Sequence, residues 1–128
     1  MRLLIDTHLL LWAAEGSRKL SKTARALIAD PGNERVFSAV SLWEIAIKSA
    51  PGRRDFQVDA TELRSGLLEN NYSELAISGA HAILTSSLPP IHKDPFDRIL
   101  IAQAMIEGMT LLTADPIVAK YNGPVRGV

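Results

Sequence analysis

Short apolar runs rich in Leu, Ile and Val alternate along the chain with segments whose apolar positions recur at helical spacing. This alternation predicts βα units around a parallel sheet. Residues 2–5 read as a first strand, 8–14 as a helix that Gly16 ends, and 21–30 as a second helix stopped by Pro31-Gly32-Asn33. Residues 35–38 form a second predicted strand, and Ser41 opens a helix to about residue 49. After a basic loop, Pro51-Gly52-Arg53-Arg54, Asp59 and Glu62 form a capping pair for a helix to about residue 70. A third strand is expected over 74–77, a short helix over 81–86, a long buried helix over 95–107 and a fourth strand over 109–113. A short helix from Pro116 and a tail able to add an edge strand complete the chain, which shows no repeat, low-complexity tract or linker.

The acids matter because of where this pattern puts them. Asp6 and Asp115 fall just beyond the carboxyl ends of predicted strands, and Glu44 and Asp97 in the first turns of predicted helices. In open α/β sheets the ligand crevice lies outside the carboxyl ends of the strands, where the following helices begin. Four acids from distant parts of the chain are therefore expected at one edge of the sheet.

Each also has a local reading. Asp6 can cap the first helix, a role Thr7 fills equally well. Ser41-Leu42-Trp43-Glu44 matches a capping box, and Glu44 with Lys48 is a favourable i,i+4 pair. Asp94-Pro95-Phe96-Asp97 reads as an N-cap, a first-position proline and an acid suited to the helix dipole, and Asp115-Pro116 repeats the cap-and-proline form. The weight lies in convergence, because crowded carboxylates repel unless protons or a cation compensate. An all-oxygen set suits Mg²⁺, with Mn²⁺ able to substitute.

Composition narrows the setting. With 128 residues and 47% hydrophobic positions, one domain over 1–128 with one core is expected. There is no cysteine, which excludes disulfides, thiolate metal sites and a cysteine nucleophile, and a reducing cytoplasm fits. No signal-peptide layout or apolar run of spanning length is present, so no membrane role is expected. Formal net charge is zero, from 14 basic and 14 acidic residues. If four acids hold a metal, the other 10 face 14 Lys and Arg, leaving +4 elsewhere, which permits an RNA ligand.

Several other residues invite a role. His8 and His92 stand near Asp6 and Asp94 but lack HxxH or HExxH spacing, so hydrogen bonding or packing is the better reading. Trp12 and Trp43 sit among apolar neighbours and are expected in the core rather than against bases. Arg53 and Arg54 are either phosphate contacts or solvated.

Taken together, Leu-Leu-Ile-Asp6-Thr7-His8, Ser41-Leu-Trp-Glu44-Ile-Ala-Ile-Lys48, His92-Lys-Asp94-Pro-Phe-Asp97-Arg98 and Leu111-Leu-Thr113-Ala-Asp115 closely resemble the PIN-domain ribonucleases, specifically VapC-type toxins of bacterial toxin–antitoxin pairs. The resemblance implies an α/β/α sandwich with a central parallel sheet of four to five strands. It implies an acidic quartet of Asp6, Glu44, Asp97 and Asp115, with Asp6, Asp97 and Asp115 as metal ligands, the first two foremost. Thr7 and Thr113 become supporting hydroxyls, counted with Arg53 and Arg54 among candidate substrate contacts, and Asp94 belongs more to the helix start than to the metal. It further implies a homodimer, inhibition by a cognate antitoxin whose tail occupies the acidic groove, and cleavage of transfer or ribosomal RNA that arrests translation. Two other readings compete. A haloacid-dehalogenase-type phosphatase would want an Asp where His8 stands. A catalytically silent PIN-like module binding RNA or protein would have no need to keep four mutually repelling acids.

Overall fold

A computed structural model describes residues 1–49 and 57–128; Arg53 and Arg54 lie outside the described residues. Five parallel strands form one sheet: β1 (Arg2–Ile5), β2 (Glu34–Ser38), β3 (Ser73–Leu75), β4 (Thr110–Thr113) and β5 (Val125–Gly127). Their order is β3-β2-β1-β4-β5, with β1 in the middle. The chain steps outward from β1 through β2 to β3, then crosses back to lay β4 and β5 on the other side. The direction of winding reverses between β1 and β4, and a crevice opens at the carboxyl ends of strands at such a point.

Strand side chains alternate between faces, so each strand feeds two cores. Leu3, Ile5, Phe37 and Leu112 face one core, with Leu9 and Leu10 of α1 (Thr7–Glu15), Ala24 and Ile28 of α2 (Lys22–Ala29) and Leu67 of α4 (Ala60–Glu69). Leu4, Val36 and Leu111 face the other, with Val40 of α3 (Ala39–Lys48) and Leu100, Ile101 and Ala104 of α6 (Pro95–Glu107). The result is a sheet flanked by helices on both faces, as expected. Gly16 ends α1 in a left-handed conformation, φ 63°, where a side chain would be strained.

Several boundaries differ from expectation, each for a local reason. α3 begins at Ala39, because Ser38 ends β2 and at once caps the helix, its Oγ accepting from the Val40 amide at 3.1 Å. Ser41 is thus inside the helix, the capping box with Glu44 does not form, and Glu44 lies in the second turn. β3 covers Ser73–Leu75 and stops short of Ile77; it is an edge strand with β2 as its one neighbour. α5 (Gly79–Leu84) starts earlier than expected because Ser78 and His81 form a reciprocal capping box. A 3-10 turn at Thr85–Ser87 follows it, and the short helix after Pro116 is a 3-10 turn at Val118–Lys120.

Candidate functional site

β1 delivers Asp6 to the switch point. Its backbone stays extended as the N-cap of α1, and its side chain is nearly buried, at 4% exposure. Oδ1 accepts from the Leu9 amide at 2.9 Å, so the capping role is real. Oδ2 accepts from the Thr113 hydroxyl at 2.6 Å and the Ala114 amide at 3.2 Å. Burial raises this carboxyl above the ordinary range, and these hydrogen bonds work against that rise. Capping and site membership are therefore compatible for Asp6.

Thr113 links two acids. While its hydroxyl donates to Asp6, it accepts from the Asp115 amide at 3.0 Å. Asp115 turns Oδ1 to the Ile117 amide at 2.8 Å and lies with Oδ2 3.6 Å from His92 Nε2. The same nitrogen stands 2.8 Å from Asp97 Oδ2. One imidazole thus bridges the carboxylates that follow β4 and open α6.

Asp97 is raised as well. Its carboxyl is pushed up to about 6, first by burial and then by Asp94, with Glu44 adding to the rise and the His92 hydrogen bond opposing it. Asp94 is itself the N-cap of α6, accepting from the Phe96 amide at 2.8 Å and the Asp97 amide at 3.4 Å. It also belongs, with His92 and Asp97, to a set whose ligand atoms all lie within 4.8 Å of one another.

Glu44 reaches the cluster from α3 and is 3% exposed. Oε2 pairs with Lys48, whereas among the described residues Oε1 is buried with no hydrogen-bond partner. A buried carboxylate oxygen without a donor is costly unless a cation or proton meets it. With Asp97 holding its proton to unusually high pH beside it, the donor set fits a hard divalent cation.

Contact or electrostatic coupling therefore connects all four expected acids. Thr7 and Thr113 are both buried, and their hydroxyls serve protein groups: Thr113 serves Asp6, and Thr7 donates to Ser41 Oγ at 2.9 Å, tying α1 to α3. Each hydroxyl thus ties two elements of the site together. His8 is exposed and lies against Trp12, ring centroids 5.9 Å apart. The bridging position of His92 was not anticipated, nor was its support by Arg98. The Arg98 guanidinium donates to the carbonyls of Thr85, Leu88, Pro89 and His92, and the Tyr121 hydroxyl accepts from the His92 amide. The spacing His92-x-Asp94-x-x-Asp97-Arg98 was the available signal. A separate cavity of about 690 Å³ lies between α1, α2 and α4 and is lined by none of these acids.

A family model for the PIN domain matches residues 3–124. Searched against curated proteins, the sequence finds no match. Among solved structures, the fold is similar to VapBC2 from Rickettsia felis bound to a promoter DNA fragment, with TM-score 0.70 and 13% identity over 99% of this chain and 98% of that one. DNA-bound VapBC from Salmonella typhimurium gives 0.67 and 13% over 99% and 98%. A toxin–antitoxin complex from Klebsiella pneumoniae gives 0.65 and 21% over 97% and 95%.

Proposed function

This chain belongs to the PIN domain family, and from that premise we propose that it is a Mg²⁺-dependent endoribonuclease, the toxin of a toxin–antitoxin pair. The observation that carries the reading is the orphaned Glu44 Oε1 beside an Asp97 whose carboxyl is raised to about 6. Asp6, Asp97 and Asp115 would hold the ion, with Glu44 completing the acidic set. When bound, such an ion activates water and neutralises charge on the phosphodiester under attack. Thr113 holds Asp6 and Asp115 in register. His92 orients Asp97 and Asp115 and offers a proton donor at Nε2. Lys48 pairs with one oxygen of Glu44 and leaves the other, buried, without a hydrogen bond among the described residues.

The rest of the proposal follows the neighbouring folds, which are toxin–antitoxin complexes. A cognate antitoxin neutralises the enzyme by laying its tail in the acidic groove, the active form is a homodimer in the cytoplasm, and cleavage of transfer or ribosomal RNA arrests translation. No helix among the described residues is long and apolar enough to cross a membrane.

The test is cleavage of bulk RNA. Mg²⁺ and Mn²⁺ should support it, and Ca²⁺, larger and looser in geometry, should support it poorly. Equal cleavage in excess EDTA, or undiminished cleavage by the Asp97→Asn variant, would overturn the reading.

A further inference from the structure

α3 departs from expectation at two side chains. Trp43 was expected in the core and is instead 56% exposed, its ring edge to face with Phe96 at a centroid distance of 5.1 Å. Lys48 forms the i,i+4 pair with Glu44 that the sequence suggests, but the pair is not an ordinary surface one. Its Nζ stands 2.5 Å from Glu44 Oε2, with the lysine side chain 38% exposed and the glutamate side chain only 4%. One end of the pair is therefore sealed and the other opens to solvent. Side chains on a helix lean toward its N-terminus. From the last turn of α3, the Lys48 stem thus runs back toward the end of the helix that starts at the carboxyl edge of the sheet.

Among the described residues, Lys48 is the one lysine or arginine paired with any of the four acids; Arg2 pairs with Glu34 and Arg64 with Glu74. Arg98, next to Asp97 in sequence, is committed to the carbonyls of Thr85, Leu88, Pro89 and His92. The charges at the site do not balance without a further cation. Four carboxylates outweigh one divalent ion, and a phosphodiester entering the crevice adds to the negative excess. A lysine ammonium is a compact point charge on a flexible four-carbon stem, able to change partners while its Cα stays in place. Two cations on one carboxylate repel, so an ion binding at Glu44 loosens the hold of Glu44 on Lys48.

We propose that Lys48 is a phosphate-binding residue held in reserve by Glu44: with no cation bound it is the counter-ion of that carboxylate, and once an ion takes over this charge the ammonium turns to a non-bridging oxygen of the phosphodiester to be cut. This rests on the nuclease reading and adds to it the residue that meets the substrate's charge. No proton moves in the exchange, because the ammonium donates first to a carboxylate oxygen and afterwards to a phosphate oxygen. A plain helix pair, the alternative, would leave the ammonium on Glu44 throughout.

The parent chain is trace-acetylated at its lysines, and the rate at Lys48 is read by mass spectrometry without metal, in Ca²⁺, and in Ca²⁺ with a short RNA oligonucleotide. Lys48 should react severalfold faster in Ca²⁺, as it leaves Glu44, and severalfold slower once the oligonucleotide is added. Lys22, exposed at the start of α2, should keep its rate throughout. Lys48→Gln keeps a hydrogen-bond donor for Glu44 and loses the charge. It should bind Mg²⁺ more tightly in calorimetry without RNA, yet flatten the log–log salt slope of oligonucleotide binding in Ca²⁺ by about 0.7. It should also lower kcat/KM in Mg²⁺ about tenfold or more. Lys48→Arg should keep the slope and most of the affinity. Weaker Mg²⁺ binding in Lys48→Gln would make Lys48 a residue that holds Glu44 for the ion, and would overturn the exchange. A labelling rate that neither Ca²⁺ nor oligonucleotide moves, or an unchanged salt slope with cleavage intact, would reduce the contact to a plain helix pair. Either result overturns the proposal and leaves the nuclease reading standing, whereas a parent chain that cleaves no RNA in Mg²⁺ removes both.

Discussion

At the scale of single residues, Asp97 has a consequence measurable without substrate. Its carboxyl titrates near 6 in the folded chain against an ordinary 3.8. The folded state therefore binds the proton more tightly than the unfolded one, so this group's contribution to metal-free stability is fully present below about pH 4 and is lost as pH rises through 6. The difference corresponds to about 3 kcal/mol for this group. Denaturant melts in EDTA should show that decline in the parent chain and a shallower one in Asp97→Asn, where the raised Asp6 carboxyl remains and the new amide oxygen can still accept from His92. Parallel pH curves for the two would rule out the crowding. Thr113→Val tests the link on the other side: one hydroxyl lost between Asp6 and the Asp115 amide should destabilise the fold by about 1–3 kcal/mol. It should also weaken metal binding, measurable by calorimetry. The four acids could be picked out from the sequence because each sits beside a strand or helix end marked by local patterning. His92 stood out only as a hydrogen-bonding or packing residue near Asp94, and its bridging place depends on a loop that Arg98 pins from a distance.

Among elements, the loop between α5 and α6 has no regular ladder of its own after the 3-10 turn and depends on Arg98 instead. That side chain gathers four backbone carbonyls, a task for a planar fork of donors that lysine cannot copy. Arg98→Lys should speed amide exchange across residues 85–92 and lower cleavage severalfold, with little change in α1 or α2. Uniform exchange across both variants would mean the loop holds itself. The start of α3 shows where local reading fails. Ser38 and Ser41 are equally good caps by type, and the choice falls to Ser38 because β2 feeds the helix without a loop. Ser41 is then free to accept from Thr7, and Glu44 moves from a cap partner to the crevice. Strands β1, β2 and β4 were legible from their apolar runs. The edge strand β3 was misplaced by one residue at its start and two at its end, having few buried positions to mark it.

For the molecule as a whole, the four acids come from positions 6, 44, 97 and 115 and meet only when β1 lies between β2 and β4. An unfolded chain has no such site. Metal binding should therefore stabilise the folded chain globally, by about 2.7 kcal/mol at a hundred times the dissociation constant. Scanning calorimetry should show Tm rising with Mg²⁺ in the parent and staying flat in Glu44→Gln; an equal rise in both would place the ion elsewhere. The position of β4 has a further consequence, for synthesis. β1 is made first, yet one of its two edges stays bare until β4 arrives more than a hundred residues later. Until then Asp6 lacks Thr113, Asp115 does not exist, and the acidic cluster has only part of its members. The acidic cluster is thus completed only after β4 and the residues that follow it have been made, however early β1 is in place.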